Sequence, residues 1–155
     1  MKSISRILFA LLLASPGVGH AAIYHLDSVK GRDEADGLGL ATAWRSLAKV
    51  NATVFRSGDR LLLKCGGKWT GQLHPLGSGR PRDPIILDSY GEGPKPAIHG
   101  GGIASGAVLL ENQQHWSIRN LEVTNEGSPA AKKTGILIRN NSVGMLSGIE
   151  VRDSR

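Results

Sequence analysis

The chain has 155 residues, 40% hydrophobic and only 5% aromatic, with 21 glycines, one cysteine and a formal net charge of +6. That length allows one domain with a modest core. A single cysteine excludes an internal disulfide framework, and no basic block interleaved with aromatics is present to grip nucleic acid.

Residues 1–21 read as a secretory signal. Lys2 and Arg6 precede the apolar run Ile7 to Ala14, and Ser15, Pro16, Gly19 and Ala21 supply the helix-breaking and small residues before a cut. The run is too short for a permanent membrane anchor, so the expected location is secreted or periplasmic. Without Lys2 and Arg6 the mature part keeps 17 of the 19 cations against 13 carboxylates, a net +4. Such an excess suits an acidic polysaccharide as partner, and equally an ordinary soluble surface. Residues 22–58 form an expected N-terminal cap. It holds a strand from Ile23 to Ser28 and a loop bearing Asp27, Gly31, Asp33, Asp36 and Gly37. The one short α-helix follows, Ala43 to Val50, capped by Thr42.

From residue 59 onward short aliphatic runs are separated by Gly, Pro, Asn and Asp. Four of them look alike: Leu61 to Cys65, Ile85 to Ser89, Val108 to Asn112 and Ile136 to Asn140, spaced by 24, 23 and 28 residues. A second series, Leu73, Ile98, Leu121 and Ile149, advances by 25, 23 and 28. Two series in step point to a stacked repeat, in which each unit buries its apolar face on the next at about 4.8 Å. An antiparallel sandwich would instead join neighbours by hairpins. The expected fold class over residues 59–155 is all-β, a right-handed parallel β-helix of about four coils.

Equivalent positions should then stack. Leu61, Ile85, Val108 and Ile136 form one expected inward column, Leu63, Leu87, Leu110 and Ile138 another, and the Leu73 series a third. Lys64, Asp88, Glu111 and Arg139 point outward. Cys65, Ser89, Asn112 and Asn140 fall at the strand end, where Asn tolerates a left-handed bend. Leu62, Ile86, Leu109 and Leu137 share the outward face although they are apolar, so a cover is expected, with the Ala43 to Val50 helix as candidate. The chain stops at Arg155, in or just after a strand and without a cap. It is therefore expected to be the N-terminal portion of a longer protein and inactive alone.

Three groups of residues carry candidate chemistry. His74, His99, Glu122 and Glu150 would stack outward beside the second series, placing Glu122 and Glu150 about 4.8 Å apart. That is near the spacing of a retaining glycosidase pair. His99, Glu122 and Glu150 are thus the catalytic candidates, with His99 as acid or base, against a solvated strand face. Asp27, Asp33 and Asp36 are candidate Ca²⁺ ligands, against simple turn capping. Arg80, Arg82, Lys132, Lys133, Arg139 and Arg152 are candidate cations for a uronate chain, against ordinary surface charge.

Six stretches, taken in order, carry a resemblance. They are Asp36-Gly37, Ala43 to Leu47, Ser57 to Asp59, Gly66 to Trp69, Tyr90 to Gly93 and Trp116 to Leu121. Together they resemble the cap and first coils of the pectate-lyase-like superfamily, in particular its exported bacterial members. The resemblance implies a polysaccharide-degrading enzyme, first a lyase cleaving acidic polysaccharide by β-elimination with Ca²⁺ and a Lys or Arg base. A glycoside hydrolase and a non-catalytic glycan-binding adhesin are the alternatives on the same scaffold. No catalytic set of that superfamily can be matched residue by residue in this sequence, and the oligomeric state is left open.

Overall fold

A computed structural model describes residues 20–102, 105–127 and 133–155; residues 1–19, most of the expected signal, lie outside the described residues. Strands dominate. Among the described residues there are ten: β1 (Ile23–Leu26), β2 (Arg60–Lys64), β3 (Lys68–Thr70), β4 (Ile85–Tyr90), β5 (Ala97–His99), β6 (Gly106–Glu111), β7 (Trp116–Arg119), β8 (Glu122–Thr124), β9 (Thr134–Arg139) and β10 (Ile149–Arg152). Helix is confined to a 3-10 turn at Leu40–Thr42 and the five-residue α1, Leu47–Asn51. No helix among the described residues is long and apolar enough to cross a membrane.

The chain is all-β, and every paired strand is parallel. The sheets run β1-β2-β4-β7-β10, β3-β5-β8 and β6-β9. From β2 onward the chain visits the five-stranded, three-stranded and two-stranded sheets in turn, and a bridge from Leu73 to Val108 of β6 stands where the two-stranded sheet would gain a third strand.

Alternation decides which way the side chains face. In β2, Leu61 and Leu63 are fully buried while Arg60, Leu62 and Lys64 are only half-buried, the period of two that a strand imposes. Leu61, Leu87, Ile98, Leu110, Trp116 and Ile118 from all three sheets meet in one core cluster and expose nothing. Each such side chain contributes roughly 2 kcal/mol of transfer free energy. Turns between sheets need left-handed backbone: Gly66, Gly91, Asn120 and Asp153, with φ of 77°, 79°, 54° and 48°, follow β2, β4, β7 and β10. Asn112 also bends left-handed (φ 57°), and its side chain accepts from the Asn141 amide of the next layer at 2.7 Å.

Several sequence expectations need correction. The expected inward column divides: Leu61 pairs in register with Leu87, Ile85 with Trp116, and Val108 with Ile136. Leu61 and Ile85 thus lie on staggered rows of one sheet, and Val108 and Ile136 in another. The second series divides too, since Ile98 faces Val123 and Ile149 faces Trp116. Runs of similar composition 24 and 23 residues apart belong to different rows or different sheets; only the spacing of 28 joins true partners, in β6 and β9.

The helix is shorter and later than expected, and Ser46 caps it by accepting from the Lys49 amide at 3.2 Å. Ala43 and Trp44 stay extended because Trp44 continues the sheet beside β1. Its amide donates to the His25 carbonyl at 2.9 Å and its carbonyl accepts from Asp27 at 2.8 Å, which covers that edge. Helix α1 turns Leu47 and Val50 into the core. Leu62 and Ile86 remain half-buried in one sheet, while Leu109 and Leu137 belong to another, so no single outward column exists to be covered.

Candidate functional site

Two outward faces gather the polar side chains. On the three-stranded sheet the triplets Lys68-Trp69-Thr70, Ala97-Ile98-His99 and Glu122-Val123-Thr124 lie in register. Their middle residues point inward, which leaves Lys68, Ala97 and Glu122 on one outer row and Thr70, His99 and Thr124 on the other. His99 Nδ1 and Thr124 Oγ1 are 2.7 Å apart. Glu122 accepts from Arg155 Nη2 at 2.7 Å. That hydrogen bond and the guanidinium charge hold the Glu122 carboxyl below the usual range, helped by the nearby His99 and Lys68.

The second face is the outer side of the five-stranded sheet. Glu150 on β10 sits across from Ser117 on β7. Arg152 grips its carboxylate at 2.5 and 2.7 Å, Ser117 donates at 3.2 Å, and Arg119 Nε donates to the Ser117 hydroxyl at 2.8 Å. The Arg152 hydrogen bond is the main reason the Glu150 carboxyl is held low. Both carboxylates are therefore stabilised as anions, which suits neither to a general acid at neutral pH.

His99 and Glu122 do come together on one face, but Glu150 does not join them. It belongs to a different sheet, so the expected Glu122–Glu150 pair one layer apart does not form. His74, expected in the same column, sits outside the strands, its amide donating to Asn51 Oδ1 at 2.7 Å. Asp27, Asp33 and Asp36 serve separate turns. Asp27 accepts from Val29 and Lys30 at 2.9 and 3.0 Å and from Lys64 Nζ at 2.7 Å. Asp33 accepts from the Arg45 and Ser46 amides and the Ser46 hydroxyl at 2.8, 3.0 and 2.5 Å, and Asp36 from Leu38 at 2.9 Å. No group of three or more His, Cys, Asp or Glu among the described residues is arranged to hold a metal ion.

The expected cations do not line up. Arg139 pairs with Glu111 at 3.3 Å across β6 and β9, Arg152 with Glu150, and Lys133 donates to the Gly102 carbonyl. Arg80 and Arg82 are exposed around a tight turn in which Arg80 and Asp83 bond each other's backbone, and Lys132 lies outside the described residues. Sequence reasoning missed Lys68, Thr70 and Thr124. Their signal is the polar–apolar–polar pattern that Lys68-Trp69-Thr70 shares with Glu122-Val123-Thr124. A separate shallow opening between Val123, Ile136 and Val151, the inward residues of β8, β9 and β10, has an apolar floor and no converging polar groups beyond Ser154 and Arg155.

No protein-family model matches the chain. A lacto-N-biosidase of Bifidobacterium longum subsp. longum is 28% identical over 130 residues, covering 66% of this chain and 8% of that protein. An α-1,3-galactosidase A of Akkermansia muciniphila is 28% identical over 131 residues, covering 78% of this chain and 21% of that protein. Among solved structures, the GH136 lacto-N-biosidase from Eubacterium ramulus superposes with a TM-score of 0.79 and 26% identity, over 86% of this chain and 26% of that one. Its native form gives 0.75. The chain thus spans about a quarter or less of each. These likenesses correct two expectations: the similar proteins are glycoside hydrolases rather than pectate-lyase-like proteins, and the lyase reading gives way to its glycosidase alternative.

Proposed function

We propose that this chain supplies scaffold layers of an exported glycoside hydrolase acting on a neutral glycan with lacto-N-biose or α-1,3-galactosyl units. The observation that carries the reading is the superposition on a GH136 lacto-N-biosidase over 86% of the chain; the two curated relatives, both glycosidases, support it. In this reading residues 1–21 direct export, residues 22–58 cap one end of the stack, and residues 59–155 wind as a right-handed parallel β-helix. Support for the winding is the regular passage through three parallel sheets. A neutral glycan fits better than an acidic one because Arg139, Arg152 and Lys133 are already engaged by protein oxygens, and the exposed Arg80 and Arg82 sit together at one tight turn instead of forming a line of cations.

The full-length gene product is expected to release nitrophenol from nitrophenyl lacto-N-bioside or nitrophenyl α-galactoside. Failure on both, with growth of the ultraviolet band of an unsaturated uronate on acidic polysaccharide, would overturn the reading. Glu150 is a scaffold residue in this scheme, since Arg152 and Ser117 hold its carboxylate through both oxygens. Glu150→Gln should therefore leave kcat/KM within about twofold, whereas loss of a hydrolytic acid or base costs about 10²- to 10⁴-fold. A fall of that second size would make Glu150 catalytic.

A further inference from the structure

We infer that the outer face of the three-stranded sheet is a subsite for the hydroxyl groups of a neutral saccharide, with His99 Nε2 as its central contact; the inference rests on the hydrolase reading above. Three features of the face support it. First, His99 is oriented. Its Nδ1 is engaged by the Thr124 hydroxyl at 2.7 Å, which fixes the ring on the sheet and leaves Nε2 as the nitrogen without a partner among the described residues. A ring nitrogen held in this way fixes the orientation of the other, which can donate to or accept from a hydroxyl.

Second, the groups around it mix donors and acceptors at strand spacing. Lys68 and Thr70 are exposed on β3, His99 is half-buried on β5, and Glu122 and Thr124 are half-buried on β8. Neighbouring strands stand about 4.8 Å apart, so these side chains form a flat strip rather than a pocket. Arg155 occupies Glu122 Oε2, and no other protein group is bonded to Oε1 among the described residues. Third, the strip's chemistry narrows the ligand. A phosphate or carboxylate ligand at His99 would meet the Glu122 carboxylate on the adjacent strand, and an apolar ligand would find no aromatic platform, because Trp69 points inward and is buried. Ligands rich in hydroxyls satisfy both kinds of group, because each hydroxyl can donate and accept.

Two measurements on the full-length protein test the subsite. Selective isotope labelling of histidine, with titration by a neutral galactose-ended oligosaccharide, should move the His99 ring signals saturably, and Thr124→Val should weaken that response. Val keeps the branched shape that suits a strand while removing the hydroxyl, so the fold survives the change. On turnover of the same oligosaccharide, His99→Ala should raise KM about tenfold, the loss falling on KM rather than kcat. Signals that stay still, or a KM that stays unchanged in both variants, sink the subsite and leave the hydrolase reading standing. Absence of hydrolysis by the unsubstituted protein counts against that earlier reading, and the titration then decides the subsite alone.

Discussion

Replacing Trp116 by Ala should destabilise the chain by about 4 kcal/mol, the largest single loss expected from its core. Trp116 exposes nothing, lies in register between Ile85 and Ile149, and packs edge-on against Phe55 with ring centroids 6.1 Å apart. Phe55 in turn meets Tyr24, which stacks on Trp44 at 4.8 Å, so this one row of rings ties β7 to the segment preceding α1. The indole N–H also donates to the Gly77 carbonyl at 2.9 Å, pinning the irregular stretch before β4. The other two tryptophans do the same for Ala35 and Arg45, at 2.9 and 2.8 Å. Trp116→Phe separates the two contributions: it keeps most of the packing, gives up the bond to Gly77, and should cost about 1–2 kcal/mol. Urea midpoints at unchanged slope would measure both. A Trp116→Ala loss below about 1 kcal/mol would mean that the core collapses around the site and that the row of rings holds little together.

How far the sequence reveals this fold depends on which feature is asked about. The strands are visible because short unbroken aliphatic runs, Leu61 to Leu63, Ile85 to Leu87 and Ile136 to Ile138, each end on a charged residue and are set off by Gly, Pro, Asn and Asp. Their parallel stacking follows from the recurrence. Which rows meet does not. In-register partners are 26 residues apart for Leu61 and Leu87, 31 for Ile85 and Trp116, 33 for Trp116 and Ile149, and 28 for Val108 and Ile136. The circuit length varies because the turns do: the step from β4 to β5 runs through Gly91 to Pro96, whereas β7 reaches β8 through Asn120 and Leu121 alone. Nothing in Ile85-Ile86-Leu87-Asp88 and Val108-Leu109-Leu110-Glu111 says that one belongs to the five-stranded sheet and the other to the two-stranded sheet. The candidate chemistry inherited that ambiguity. His99 and Glu122 share a face because their strands are true neighbours, while Glu150 falls in the same expected column only through a spacing of 28 that crosses sheets. The expected helix fails at its start for a different reason. Trp44 suits a helix by composition, but its amide and carbonyl complete the open edge of β1, a demand that only the tertiary structure makes.

Asp27 provides the second large effect, and it depends on pH. Its side chain is 6% exposed, accepts two amides of its own turn, and pairs with Lys64 at 2.7 Å, tying the end of β1 to β2. Asp27→Ala should cost about 3 kcal/mol, since it strips the partner from two amides and from the ammonium at once. Asp27→Asn can still accept from the amides and should cost about 1–2 kcal/mol. Lys64→Met should cost less, about 1 kcal/mol, because Lys64 is 40% exposed and water screens its charge. Burial pushes the Asp27 carboxyl up, but the Lys64 hydrogen bond, the Lys30 and Val29 amides and the Lys64 charge outweigh it, so the group titrates below the usual range. The unfolded chain then takes up this proton first, at about pH 4. The stabilisation is complete above that pH and is lost as pH falls through the lower, folded value. Asp33, held low through Ser46 and Arg45 despite its own burial, adds a contribution of the same sign. In acid unfolding followed by circular dichroism, Asp27→Asn should lose stability at pH 7 yet converge on the unsubstituted chain as the pH drops. Parallel curves with a constant gap would mean that the charge of Asp27 is not what holds β1 to β2.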